Sequence, residues 1–264
     1  MLPYTSALFA LLLLPLSAGS AAGQAETFTV SVVDKTADHP YFGQGDSRGY
    51  AIDGTEGKEL KLKKGATYDF ERGNDNVGGT HPLYISTDPV GAGAGPYSDG
   101  VQNNGATEGE TLTFTPPTDA PDSLWYQCEF HPKMGWRMAL VEDSSQVTVD
   151  SDGEVLFNGT GVTINFSGTS GSDLVTVDKF NSAPEGQAGI SESNVSEYRF
   201  VLEAGGSLSF DSNTEVRFDV STLLGINDAN NVTVYKRSTV GSGSFTEVPT
   251  DYDSGENELV VCQP

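Results

Sequence analysis

The stretch WYQCEFHPKMGWRMALVE, residues 125–142, carries Cys128, His131 and Met134 in the spacing C-x2-H-x2-M. The whole chain has two cysteines, three histidines and three methionines. A thiolate, an imidazole and a thioether are soft to borderline donors. With a second imidazole they make a set that suits copper: sulfur stabilises Cu(I), imidazole also accepts Cu(II), and a fixed intermediate geometry lets one electron pass with little rearrangement. A short loop closing a strand can aim all three side chains at one point. The fourth donor has two candidates, His81 and His39, and the spacing does not choose between them.

Those side chains have to be presented by strands. The chain is rich in short runs of Thr, Val, Phe and Tyr separated by Gly, Asp, Asn and Pro, and almost nothing reads as helix. FTVSVVD (28–34) alternates Phe28, Val30 and Val32 with polar neighbours. GYAID, ELKLKKG, ATYDFERG, HPLYIST, TLTFTPP, SLWYQCEF and WRMALVE follow, which is the regular spacing of a β-sandwich or barrel. GAGAGPYSDGVQNNGATEGE (91–110) reads as a long loop too poor in apolar residues to pack. EDSSQ (142–146) reads as a polar break, and a second all-β module is expected beyond it.

A length of 264 residues fits about two domains. The N-terminus, with an apolar run from Ala7 to Leu16 and small residues before a cut after Ala22 or Ala25, reads as a signal peptide. The run is shorter than the ~20 residues that span a bilayer. The expected organisation is a signal peptide over 1–25, a metal-binding domain over 26–143 and an accessory β-domain over 147–264. Export places the chain outside the cytoplasm, secreted or periplasmic, with no membrane insertion after cleavage. Export also permits a disulfide. A Cys128–Cys262 bridge is therefore an alternative that would exclude metal at Cys128.

Thirty-seven acidic residues against 14 basic ones give a net charge of −23. That balance argues against nucleic acid, whose phosphates need Lys and Arg. It suits a partner with a basic face. Asp99, Asp122 and Glu129 read as solvent charges, Met138 as a core residue, and His39 as a turn histidine. Hydrolase, P-loop and EF-hand motifs are absent, and three histidines leave little room for a catalytic triad.

The Cys/His/Met loop resembles the ligand loop of the cupredoxins, the blue copper proteins, and its short form is closest to amicyanin-like members. GTHPLYIS (79–86) is similar to the family's upstream segment, where a histidine opens a strand. The resemblance implies a Greek-key β-sandwich over roughly residues 27–142 with one type 1 copper. It also implies a ligand set of His81, Cys128 and His131 with Met134 as the axial donor. The implied function is single-electron transfer between redox protein partners, without an enzymatic reaction. A metal-free structural or adhesive module and a copper storage or delivery protein are the alternatives. Two features depart from the family. Pro82 stands where members usually carry an Asn that braces the cysteine loop, and HPYFGQGDSRGYAIDG (39–54) is atypical.

Overall fold

The computed structural model describes residues 25–73, 80–184, 187–191, 195–238 and 243–262. The segment expected to be a signal peptide lies, apart from Ala25, outside the described residues. Among those residues no helix is long and apolar enough to cross a membrane. The chain is all-β, with two short 3-10 turns among the described residues.

Among the described residues, ten strands build the first half: β1 (Glu26–Asp34), β2 (Arg48–Ile52), β3 (Thr55–Glu56), β4 (Leu60–Lys63), β5 (Tyr68–Arg72), β6 (Leu83–Ser86), β7 (Val101–Gln102), β8 (Thr111–Phe114), β9 (Ser123–Cys128) and β10 (Trp136–Val141). They form a six-stranded sheet of order β3-β2-β1-β5-β8-β7 and a four-stranded sheet of order β4-β10-β9-β6. The chain crosses repeatedly between the sheets, as the expected sandwich requires. β1 pairs parallel to β5 and β4 parallel to β10; the other pairs are antiparallel.

The period-2 pattern explains which face is inside. Phe28, Val30 and Val32 of β1, Leu60 and Leu62 of β4, and Leu124, Tyr126 and Cys128 of β9 share one core. Each large apolar side chain fully buried there contributes roughly 1.5–3 kcal/mol. On β5 the same pattern buries Tyr68, Phe70 and then Arg72, which is only 2% exposed. A cation at an apolar register position marks a place where the core does more than pack.

The readings of two segments are corrected by the structure. The glycine-rich segment 91–110 is packed, not open. It covers β6, the edge of the four-stranded sheet: Leu83 N–H donates to Ala106 O, Gly105 N–H to Leu83 O, and Ile85 N–H to Asn104 Oδ1. Ala106 is fully buried. Backbone pairing satisfies an edge strand with few apolar side chains. The polar run after Glu142 is likewise a strand, β11 (Asp143–Val149), half solvated and with side-chain hydrogen bonds from Ser144 to Asp178 and from Gln146 to Thr176.

The second half continues with β12 (Gly153–Phe157), β13 (Val162–Phe166), β14 (Asp173–Phe180), β15 (Arg199–Ala204), β16 (Glu215–Asp219), β17 (Val234–Lys236), β18 (Thr246–Val248), β19 (Thr250–Asp253) and β20 (Glu258–Cys262). Its sheets have the orders β11-β14-β15, β12-β13-β16-β20-β19 and β17-β18. They enclose a separate core around Phe157, Val162, Val177 and Leu259. Asp122 is not a solvent charge. It sits in the seam between the two halves, held by Lys64, Ser182 and Arg199.

Candidate metal centre

Cys128 is the last residue of β9, and the chain then leaves the sheet as the loop 129–135. His81 precedes β6, which pairs with β9 so that Leu83 lies opposite Cys128. This register brings the His81 end of one strand beside the Cys128 end of its neighbour. His81 Nδ1 lies 4.0 Å from Cys128 Sγ, and His131 Nδ1 lies 3.5 Å from the same sulfur. The two imidazole centroids are 4.7 Å apart. One ligand atom from each of His81, Cys128 and His131 lies within 4.8 Å of the others. Metal–sulfur and metal–nitrogen bonds of about 2.3 and 2.0–2.1 Å at tetrahedral to trigonal angles require S···N separations of roughly 3.6–3.8 Å. The observed pair brackets that range, so the donors fit one ion with small adjustments.

Burial is graded across the group. Cys128 is fully buried and His81 is 2% exposed, whereas His131 is partly open. Met134 is fully buried in the same core cluster as Cys128. Burial pushes the Cys128 thiol up, against the backbone amides of Phe130 and His131 and the Arg72 charge. A metal entering the group must therefore displace the thiol proton.

Cys262 takes no part. Both cysteines are free, Cys128 buried and Cys262 exposed at the end of β20, so the alternative bridge is not formed. His39 lies outside the His81–Cys128–His131 group. Its ring contacts the Met134 carbonyl at 3.2 Å through Nε2 and accepts from Tyr41 N–H at Nδ1. Burial lowers its pKa, which favours the neutral ring. Met138 is buried in the core, as expected.

Contacts around the group hold the His81 segment and the loop together. Glu129 N–H, the first amide of the loop, donates to Pro82 O at 2.9 Å, so a main-chain bond ties the loop to the His81 segment. The His81 carbonyl accepts from Tyr50 Oη at 2.9 Å and from Arg72 Nη2 at 3.2 Å. The Arg72 guanidinium also stacks over the Tyr50 ring at 5.0 Å. Arg48 Nη1 lies 3.3 Å from His81 Nε2, a contact in which the guanidinium can only donate and which a metal held at Nδ1, with the ring proton on Nε2, would have to displace. Such outer contacts orient ligands and tune the metal. Sequence reasoning missed Arg48, Tyr50 and Arg72; the inward register of Arg72 on β5 was the one available signal.

The loop's far end is fixed as tightly. Gln127, fully buried, accepts from Gly135 N–H at 3.0 Å and donates to Pro89 O at 2.7 Å. A Cβ on Gly135 would lie 1.6 Å from Tyr126 O. Because the obstacle is a strand carbonyl, Gly135→Ala is expected to destabilise the protein by about 3 kcal/mol, the upper end of ordinary overpacking costs. Denaturant unfolding measures this, and a change below about 1 kcal/mol would show that β9 yields easily.

Residues 25–142 match the family model described as the At5g54830-like domain. Among curated proteins none matches the chain. Among solved structures the chain is similar to rusticyanin from Thiobacillus ferrooxidans, with 18% identity over 44% of this chain and 79% of that one, at a TM-score of 0.29. Reduced rusticyanin gives 16% identity over 44% and 81% of the two chains, at a TM-score of 0.30.

Proposed function

We propose that this is an extracytoplasmic mononuclear copper protein of the type 1 class that passes single electrons between redox partners and transforms no substrate itself. The observation that carries the reading is the meeting of His81 Nδ1, His131 Nδ1 and Cys128 Sγ around one small volume. Two imidazoles and a thiolate on a rigid sandwich suit copper above harder ions. The cupredoxin resemblance of the Cys/His/Met loop supports the same assignment, with His81, Cys128 and His131 as the strong ligands and Met134 as the axial donor.

Bound copper would supply the one-electron Cu(II)/Cu(I) couple. The protein's part is to hold the ligands in one geometry for both states. β9 and β6 fix Cys128 and His81, while the Tyr50, Arg72 and Glu129 contacts restrain the His81 segment and the loop. His131, partly open, is the natural exit edge. Phe130 beside it is 58% exposed and offers an apolar surface on which a partner can exclude water. The net charge of −23 favours a partner with a basic face. The second set of strands, joined to the first through the Asp122 seam, would serve to space or dock the electron carrier.

One equivalent of Cu²⁺ added to the reduced protein is expected to give an intense thiolate-to-copper visible band, and voltammetry a reversible one-electron wave. Uptake of copper without a reversible wave would instead identify a storage or delivery protein. Failure of the free thiol to take up copper would end the metal reading. Met134→Leu is expected to keep the band and raise the reduction potential, because removal of a weak donor destabilises Cu(II) more than Cu(I). An unchanged potential would remove Met134 from the site.

A further inference from the structure

The atypical segment after β1 is built around the far end of the ligand loop. Lys35, 8% exposed, donates through Nζ to the carbonyls of Gln44 and Asp46, each at 2.8 Å, and so gathers residues 35–46 into a compact strap. The strap meets the ligand loop and the first residue of β10. Asp46 N–H donates to Pro132 O at 3.0 Å, Lys133 Nζ donates to Gln44 Oε1 at 2.7 Å, and Tyr41 packs edge-on against Trp136 at 4.6 Å.

His39 is the deepest residue of the strap, 2% exposed. Tyr41 N–H points at Nδ1 at 3.0 Å, which makes Nδ1 the acceptor and places the ring proton on Nε2. That Nε2–H donates to Met134 O at 3.2 Å, across 95 positions of sequence. The same carbonyl accepts from Tyr50 N–H at 2.6 Å. Room for the ring is made by Gly49, where a Cβ would lie 2.6 Å from His39 Cδ2. A buried, tautomer-fixed imidazole with both nitrogens engaged is a poor metal ligand and a good main-chain clamp.

The geometry points to His39 as a positioning residue for Met134: it fixes the backbone from which the thioether is presented, in a chain where the bracing Asn of the ligand segment is replaced by Pro82. This rests on the copper reading for the role of Met134, but the clamp itself can be read without metal.

In the metal-free protein, ¹³C-methyl spectra resolve Met134 from Met138. His39→Leu, which fills the ring's space without a donor, is expected to shift or broaden the Met134 methyl and leave Met138 in place. His39→Gln, whose amide nitrogen takes the place of Nε2, is expected to restore the Met134 signal. An unmoved Met134 methyl in the Leu variant, or equal disturbance by both variants, overturns the proposal. If His39→Leu folds too poorly to be read, ¹⁵N shifts of the wild-type imidazole decide instead, since protonation at Nδ1 rather than Nε2 overturns the clamp. In the copper-loaded protein His39→Leu is expected to raise the potential in the same direction as Met134→Leu, and to add nothing in the Met134→Leu background. Full additivity would mean that His39 acts elsewhere. A wild-type protein that takes up no copper would refute the metal reading alone; the methyl comparison would still decide whether His39 holds the Met134 segment.

Discussion

If copper binds as proposed, Cys128→Ser is expected to give a folded protein that develops no visible copper band and binds copper at least ~100-fold more weakly than the parent, a loss beyond the 10–100-fold typical of outer contacts. Two effects compete in this substitution. One is structural: Cys128 is fully buried, and a buried hydroxyl without a partner costs roughly 1–3 kcal/mol. The other is chemical, because the hydroxyl does not ionise under conditions where a metal strips the thiol proton. The structural cost is small here, since His131 Nδ1 and His81 Nδ1 flank the position and can pair with the new hydroxyl. The chemical effect therefore dominates. Far-UV circular dichroism and unfolding midpoints are expected to stay close to wild type while the band disappears. Cys262→Ser, at the exposed end of β20, is expected to leave band and stability unchanged. A Cys128→Ser protein that keeps the band would move the sulfur ligand elsewhere.

Asp122→Ala is expected to cost about 3–5 kcal/mol, the range for removing one member of a buried ion pair and stranding the other. Its Oδ1 accepts from Lys64 Nζ at 3.0 Å, and its Oδ2 from Arg199 and Ser182. The Lys64 side chain is 1% exposed. It keeps one other hydrogen bond, to Asn181 at 2.8 Å, which does not neutralise its charge. The exposed Lys58–Asp53 pair is the internal control: at 2.9 Å but with both side chains more than a third exposed, Lys58→Ala is expected to cost less than about 1 kcal/mol. Distance is the same; burial decides. If Asp122→Ala also costs under 1 kcal/mol, the seam is solvated and the halves are only loosely joined.

The same carboxylate sets a pH dependence. Burial alone would raise its pKa, but hydrogen bonds from Ser182, Arg199 and Lys64 outweigh that and hold it below the ordinary 3.8. A depressed carboxylate contributes its stability above the unfolded-state value and loses it as pH falls through the folded one. The seam is therefore at full strength at neutral pH and weakens only below the usual carboxylate range.

The His/Cys group and the β architecture were legible in the sequence because both leave marks in residue type. Cys128, His131 and Met134 stand out because soft donors are rare in this chain, and the alternation of Phe28, Val30 and Val32 follows from one buried sheet face. What escaped reading was held by main chain or by pairing across distance. The segment 91–110 packs through carbonyls and amides, which any sequence supplies. β11 holds as a strand although it opens on Asp, Ser, Ser and Gln, because its partner β14 offers Asp178 to Ser144 and Thr176 to Gln146, 34 and 30 positions away. His39 reads as a turn residue, and it is one, yet its ring closes on a carbonyl 95 positions later. Asp122 looked solvent-facing because Lys64 and Arg199 come from opposite halves of the chain.

X-ray absorption at the copper edge on the loaded protein tests the central claim most directly. Two imidazole nitrogens and one short sulfur are expected around the metal, with one nitrogen lost on His81→Gly and the short sulfur lost on Cys128→Ser. A shell without a short sulfur, or one that His81→Gly leaves unchanged, would contradict the convergence of these side chains on a single ion.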